Sequence, residues 1–291
     1  MSKPANSSRR SFGEPVIVNQ TNQTCRAGVA SLAGFGVCVF LLALLLSLIA
    51  TPWTTLSFWK VFRRGVSVAA ALSLWLFIRK LERRSFRSYG FAAPRAGKRQ
   101  LRFGVLLGLG VLGLLFGTWL ALGVCRLSIT PDLPRLWRTV VGFLPAAILI
   151  SVLEELVFRG FILQHLLNCS KGLAVIGSSA LYALVHLKTS TVGLAACLEL
   201  VGLFLFGGLL ALSYLLTRQL YLAVGLHAVL AYGLRINKLL IEFTEPSLTW
   251  LVGTSRLVNG VASWVALLCM AGIVMWWVRR SQEGGVHYED A

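Results

Sequence analysis

Long apolar runs separated by short polar connections make up most of the chain. The runs lie at about 28–50, 61–79, 103–125, 139–167, 172–188, 191–216, 220–235 and 257–278. A helix needs about 20 apolar residues to cross a bilayer. The chain has no series of ten-residue segments with alternating polarity, which is the pattern of a membrane barrel. The pattern therefore predicts an all-α fold: a polytopic transmembrane helical bundle of about eight spans.

Composition supports a membrane protein and narrows its partners. The chain is 56% hydrophobic and 13% charged, whereas soluble domains are typically about 25% charged. The net charge of +17 comes from basic residues beside the apolar runs, nine of them between residues 79 and 102. This asymmetry is typical of cytoplasmic connections. We expect membrane lipid rather than nucleic acid as a partner, and a multi-pass protein of the cell (plasma or inner) membrane with both termini cytoplasmic.

The same pattern predicts the domain organisation. We expect residues 1–27 to form a flexible cytoplasmic N-terminal tail, residues 28–280 a single transmembrane helical domain, and residues 281–291 a C-terminal tail. The six cysteines lack CxxC spacing and lie mostly within or beside apolar runs. We expect them to be small buried hydrophobes rather than a disulfide framework.

Three charged residues interrupt the fourth apolar run. Glu155 and Arg159 are four residues apart, so on a helix they share one face and can pair. Glu154 is rotated by about 100° from Glu155 and lacks that partner. A charge at membrane depth costs about 3 kcal/mol on insertion scales, so such groups usually pair with each other or serve a function. We expect Glu154 to be a general acid or base; in the alternative reading, all three residues form a buried ion-pair network that joins two helices.

Histidines on two later runs are candidate partners of Glu154. Tyr182 and His186 lie one turn apart on the fifth run. Across a hairpin that turns near Cys169, Glu154 and His186 reach almost the same depth. An imidazole beside a carboxylate can activate water. His227, on the seventh run, could donate to an oxyanion or complete a polar network.

Two further titratable residues have less defined roles. Glu199, in the sixth run, is expected either to pair with a charge on another helix or to line the same cavity. His165, at the end of the fourth run, is expected to be an ordinary solvated residue.

Three motifs in order resemble the CAAX protease and bacteriocin-processing (CPBP, or Abi) family of glutamic intramembrane proteases. They are Glu154-Glu155-x-x-x-Arg159, Tyr182-x-x-x-His186 and His227, and the similarity covers a core at about 85–232. The resemblance implies that Glu154 and His186 activate a water nucleophile, that His227 stabilises the oxyanion, and that Glu155 and Arg159 shape the site. It also implies catalysis without a metal ion or cofactor.

The chain departs from the family pattern at two positions. Tyr182 stands where the family usually has Phe, and Ala231 stands where the third motif usually has Asn or Asp. Losing one oxyanion donor can slow catalysis by about 10²–10³-fold. Either another side chain substitutes, with Tyr232, Asn237 and Glu199 as candidates, or the chain is a weakened or altered enzyme.

The sequence thus favours a CAAX-protease-like intramembrane endopeptidase that hydrolyses a peptide bond in a peptide or protein substrate reaching the membrane. One alternative is a non-catalytic membrane scaffold or peptide-immunity protein that retains the protease fold. Another is a metal-dependent hydrolase or transporter with Glu154, His186 and His227 as ligands, since two histidines and a carboxylate can hold a divalent ion.

Overall fold

The protein is a bundle of helices with one small two-stranded sheet. The structure, a computed structural model, describes residues 15–92, 94–187, 192–244, 246–253 and 257–283. The α-helices are α1 (Pro15–Ala50), α2 (Phe58–Leu76), α3 (Pro94–Ala121), α4 (Leu133–Val140), α5 (Phe143–Glu155), α6 (Gln164–Leu167), α7 (Lys171–His186), α8 (Gly193–Thr217), α9 (Tyr221–Leu240), α10 (Thr249–Val252) and α11 (Val261–Glu283). Strands β1 (Cys125–Leu127) and β2 (Ile241–Phe243) pair antiparallel. The predicted all-α polytopic bundle is confirmed.

Each of the eight predicted apolar runs forms a helix, but fewer than eight are long and apolar enough to cross a bilayer on their own. Six stretches of the described chain meet that standard: Gln23–Trp53, Phe58–Leu81, Phe86–Ala121, Leu133–Leu167, Gly193–Thr217 and Val261–Glu283. The other two runs are α7, which has only 16 residues, and α9, which carries His227, Arg235 and Lys238. Helix α9 is buried from Leu222 to His227, whereas α7 buries one face and exposes the other, which includes Leu184 and Val185.

The ends of the chain differ from the predicted tails. Helix α1 begins at Pro15, so the part of the expected flexible tail from residue 15 to residue 27 is helical. Helix α11 continues to Glu283. The rest of both predicted tails, residues 1–14 and 284–291, lies outside the described residues.

The prediction that no cysteines pair is wrong for two of them. Cys25 of α1 and Cys169, in the turn between α6 and α7, form a disulfide with Cα atoms 4.6 Å apart. Because 144 residues separate them, no local spacing could indicate the bond. Gly28 lies beside the disulfide and packs directly against the carbonyl of His165.

The basic connection between α2 and α3 defines one end of the bundle, called here the basic end. The guanidinium of Arg99 donates to Ser281 Oγ at 3.3 Å, which brings the end of α11 to the start of α3. The amide of Leu220 donates to the Gly90 carbonyl at 2.8 Å, which adds the start of α9. The β1–β2 sheet and the start of α11 lie at the opposite end.

A π-helical segment interrupts the fourth run directly after the two glutamates. It spans Leu156–Leu163, between α5 and α6. Gly160 in this segment packs against the carbonyl of Tyr89 from the connection before α3, an approach that a larger residue would hinder. Single π-helical turns occur often at functional sites, where they re-aim side chains.

Candidate active site

Helix ends bring the predicted site residues together in the interior. Glu154 and Glu155 close α5, His186 is the last residue of α7, and His227 lies in the second turn of α9. Helices α5 and α9 pack on each other, and α7 packs on the π-helical segment. Charges from three separate parts of the sequence therefore meet at one place.

Glu155 is the buried centre of the supporting network. Arg159 Nη1 donates to Glu155 Oε1 at 2.9 Å, and both side chains are at most 1% exposed. Arg159 Nη2 also donates to the Gly207 carbonyl of α8 at 3.0 Å, and the guanidinium lies 4.8 Å from the Tyr182 ring centre. The pairing predicted from the spacing is present, and it ties α5, α7 and α8 together.

The structure adds a partner for Glu155 that the sequence did not indicate. His227 Nδ1 lies 2.8 Å from Glu155 Oε1, the same oxygen that accepts from Arg159. A carboxylate that holds one ring nitrogen of a histidine fixes the orientation of the ring and leaves the other nitrogen to face the reaction. Glu155 therefore positions His227 as well as pairing with Arg159.

Glu154 and His186 form the second pair. They lie side by side, as their predicted common depth across the hairpin indicated. Glu154 Oε2 lies 3.1 Å from His186 Nε2, with side-chain exposures of 26% and 31%. His186 Nδ1 donates to the Tyr182 carbonyl at 2.9 Å, and the Tyr182 ring stacks on the imidazole with centres 4.1 Å apart. With Nδ1 holding its proton on the backbone, Nε2 faces the carboxylate, and a proton can pass between the two groups. That is the arrangement of a general acid/base pair.

His227 also faces Glu154, so one imidazole connects the two pairs. Its Nε2 atom lies 3.6 Å from Glu154 Oε2, and the edge-on ring of Phe206 covers it with centres 5.4 Å apart. The ring is only 4% exposed. In its doubly protonated form, His227 would present an N–H group to any atom bound beside Glu154.

A cavity of about 210 Å³ adjoins these groups. Among the described residues, its polar and charged lining consists of Glu154, Tyr182, His186, His227 and Ser263. The remaining lining residues are apolar and come from α3, α5, α8, α9, α11 and the turn before α11; Ala231 is among them. A small apolar cavity with a few convergent polar groups is typical of a catalytic site.

None of the three residues proposed to replace the missing Asn lines this cavity. Tyr232 donates its hydroxyl to the Val140 carbonyl at 2.7 Å, away from the site. Asn237 is 2% exposed and Glu199 is fully buried, each at another place in the bundle. Ser263 is the polar residue that sequence reasoning missed; a lone serine in an apolar run carries no signal.

A second cavity, of about 680 Å³, reaches the Glu154–His186 pair from the other side. Residues of α1, α2, α5, the π-helical segment, α6 and α7 line it. Apart from Glu154, His186 and Arg63, the described residues of the lining are apolar or small. The Glu154–His186 pair therefore stands between two cavities.

The site residues offer few free donors for a metal ion. The described residues contain no group of three or more His, Cys, Asp or Glu side chains that could hold one. Nδ1 of His186 is bonded to a backbone carbonyl, and Nδ1 of His227 lies against Glu155. The expectation that the site needs no metal stays a prediction.

His165 is not the solvated residue that the sequence predicted. Its Nε2 atom lies 2.9 Å from Glu82 Oε1, with side-chain exposures of 14% and 19%. The Tyr89 hydroxyl donates to the other oxygen of Glu82, and His165 Nδ1 lies 2.8 Å from the Phe161 carbonyl. This second histidine–glutamate pair holds the basic end together, separate from Glu154.

The site falls within a segment that matches a known family. Residues 136–232 match the family model described as type II CAAX prenyl endopeptidase Rce1-like. The segment is about a third of the chain and contains all three motifs; the predicted start of the core near residue 85 lies outside it. No curated protein matches the chain. The resemblance predicted from the motifs is thereby confirmed for this multi-pass membrane protein: its residues 136–232 are similar to the CAAX-protease-like endopeptidase family.

Proposed function

We propose that the chain is an intramembrane glutamic-type endopeptidase that hydrolyses a peptide bond without a metal ion. The observation that carries the proposal is the contact between Glu154 and His186, 3.1 Å apart at the wall of an otherwise apolar cavity. A carboxylate and an imidazole that share a proton can withdraw a proton from water and return it to a leaving group. The family match agrees with this reaction class.

In the first step, a water molecule held by Glu154 and His186 attacks the carbonyl carbon of the substrate. The Glu154–His186 pair takes one proton from the water as its oxygen bonds to that carbon. Negative charge develops on the former carbonyl oxygen, and the Nε2–H group of protonated His227 stabilises it. Glu155 supports this by accepting from His227 Nδ1 at 2.8 Å.

In the second step, the tetrahedral intermediate collapses. The carbon–nitrogen bond breaks, and the Glu154–His186 pair delivers its proton to the departing amine. One water and one peptide bond give a carboxylic acid and an amine, and the pair returns to its starting protonation state. Arg159 stays paired with Glu155 at 2.9 Å throughout and does not enter the reaction.

The cavities suggest how a membrane-borne substrate reaches the pair. The larger one has an apolar lining suited to a hydrophobic peptide segment entering from the bilayer. The smaller one, on the other side of Glu154, holds His227 and gives room for the scissile carbonyl. A substrate that spans both places a peptide bond at Glu154.

The proposal puts the protein in the cell membrane with the basic end toward the cytoplasm. The nine Lys and Arg residues between 79 and 102 support this orientation. The contact between Arg99 and Ser281 keeps the end of α11 on the same side. Both chain termini are then cytoplasmic.

The test is turnover of a peptide library by the purified protein in detergent. We expect Glu154→Gln and His186→Ala to abolish cleavage while both variants stay folded, because each side chain is partly exposed to the cavity. Activity must also survive a chelator, and elemental analysis must find less than one metal ion per chain. Equal turnover by the wild type and both variants would overturn the mechanism.

The Glu82–His165 pair supplies the matched control. It is a histidine–glutamate contact of similar length, 2.9 Å, within the same bundle but away from Glu154. We expect Glu82→Gln and His165→Ala to keep turnover per folded molecule. Loss of turnover in both sets would mean that any broken pair disables the protein.

Ala231 favours a second candidate, a non-catalytic scaffold or peptide-immunity protein. The cavity lacks a polar side chain at the position where the family has Asn or Asp. For a scaffold, Glu154→Gln should leave partner binding and the cellular phenotype intact. A phenotype that this nearly isosteric change abolishes argues against it.

A further inference from the structure

Among the described residues that line the smaller cavity, Ser263 is the one polar residue that belongs to none of the three motifs. It lies in α11, outside the matched segment 136–232. Leu267 and Met270 follow it at helical spacing and line the same cavity. The helix therefore directs one face toward His227 and Ala231, and Ser263 is the polar position on that face.

The Ser263 hydroxyl is buried and has no hydrogen-bond partner among the described residues. The side chain is 2% exposed. Helical serines usually donate to the carbonyl four residues earlier, as Ser151 does at 2.8 Å and Ser213 at 2.9 Å. Ser263 is the third residue of α11, and its hydroxyl is not bonded in that way. A buried hydroxyl without a partner is unusual and needs an explanation.

The turn before α11 fixes the position of Ser263. The Trp264 indole donates to the Val258 carbonyl at 2.9 Å, which closes the turn on the helix start. Gly202 of α8 leaves room for that carbonyl, because a Cβ atom there would overlap it. Leu257 adopts a left-handed conformation with φ of 59°, a strain that tertiary contacts must offset. Ser263 is thus held against the cavity.

We infer that Ser263 supplies the second oxyanion hydrogen bond, in place of the side chain that Ala231 lacks. This inference rests on the proposed function. When water adds to the carbonyl carbon, Ser263 Oγ–H donates to the developing oxyanion beside His227, and no proton is transferred. The first turn of a helix also favours negative charge through its aligned peptide dipoles. The unused hydroxyl then has its partner only in the transition state.

The test compares Ser263→Ala, Ala231→Asn and the double variant with the wild type. We expect Ser263→Ala to lower kcat on the order of 10²-fold with little change in KM, because the contact exists only in the transition state. In the Ser263→Ala background, Ala231→Asn restores a donor and should recover at least tenfold. Added to the wild type, Ala231→Asn should change kcat by much less.

A thermal unfolding measurement separates this role from packing. Removal of an unpaired buried hydroxyl should leave the midpoint of Ser263→Ala unchanged or raise it. Ser179→Ala is the matched control, since Ser179 is also buried without a partner in the described chain but does not line the cavity. We expect it to keep full turnover.

The outcomes distinguish this inference from the proposed function. Cleavage that Glu154→Gln abolishes and Ser263→Ala leaves intact overturns the role of Ser263 alone. A fall in kcat that tracks a lower unfolding midpoint, or that Ala231→Asn does not recover, overturns it as well. Wild-type protein without any Glu154-dependent cleavage overturns both.

Discussion

Replacing Arg159 by methionine removes the cation of the buried network and keeps a similar length of apolar side chain. The change leaves Glu155, which is fully buried, without the donor at 2.9 Å, and the Gly207 carbonyl without the donor at 3.0 Å. Breaking a buried ion pair costs about 3–5 kcal/mol, whereas the Gly207 carbonyl, in the middle of α8, keeps its helical hydrogen bond. We expect a destabilisation of about 3 kcal/mol or more.

The double variant Glu155→Gln/Arg159→Met gives the sharper test. Glu155→Gln alone leaves the Arg159 guanidinium buried without its counter-charge, so it should be about as harmful as Arg159→Met. In the double variant no unpaired charge remains, and a glutamine oxygen can still accept from His227. We expect it to be more stable than either single variant, with a coupling energy of about 2 kcal/mol or more.

Titration with a denaturing detergent, followed by the fluorescence of the nine tryptophans, measures all three variants. The control is the exposed pair Arg126–Glu242, whose side chains are 67% and 51% exposed at 2.9 Å. Breaking it by Arg126→Met should cost less than about 1 kcal/mol. Single variants at Arg159 and Glu155 that each stay within that range, or a double variant equal to their sum, would refute the reasoning.

Two further changes test the packing and the orientation of the bundle. Gly202→Ala should destabilise the protein and lower turnover, because the new methyl group overlaps the Val258 carbonyl. Gly113→Ala is the control: no described atom lies within 4 Å of the new methyl group, so the change should be neutral or slightly stabilising in the same unfolding assay. With the basic end in the cytoplasm, Cys25 and Cys169 should be reduced in cells. A maleimide-linked polymer should then modify both cysteines without prior reduction. A Cys25–Cys169 disulfide that persists in freshly lysed cells points instead to the opposite orientation.

Helix geometry explains which parts of the site were predictable. Glu155 and Arg159 share a face because a helix repeats every 3.6 residues, so their spacing indicated the 2.9 Å contact. Glu154 and His186 flank one tight hairpin, so counting from the turn indicated their common depth. Both predictions need only local structure.

Contacts that depend on packing left no trace in the sequence. The 2.8 Å contact between Glu155 and His227 joins residues 72 positions apart, and His165 pairs with Glu82 across the bundle. The number of spans also differs from the predicted eight. Helix α9 is not among the six apolar spans; buried His227 and the exposed Arg235 and Lys238 interrupt its apolar residues.

The proposed site has two parts, the Glu154–His186 pair that activates water and the donors that stabilise the oxyanion. These parts differ in how freely their residues can change. In the proposed mechanism, the turn between α6 and α7 sets the relative depth of Glu154 and His186, so a change at either residue removes a group that activates water. In the same proposal, the oxyanion lies in the cavity that α9 and α11 both line, and a donor can be carried there either at residue 231, which is Ala in this chain, or by Ser263. Loss of the donor at residue 231 therefore does not require loss of activity, provided that the turn before α11 keeps Ser263 in place. Activity should accordingly depend on residues of α11 that no motif contains.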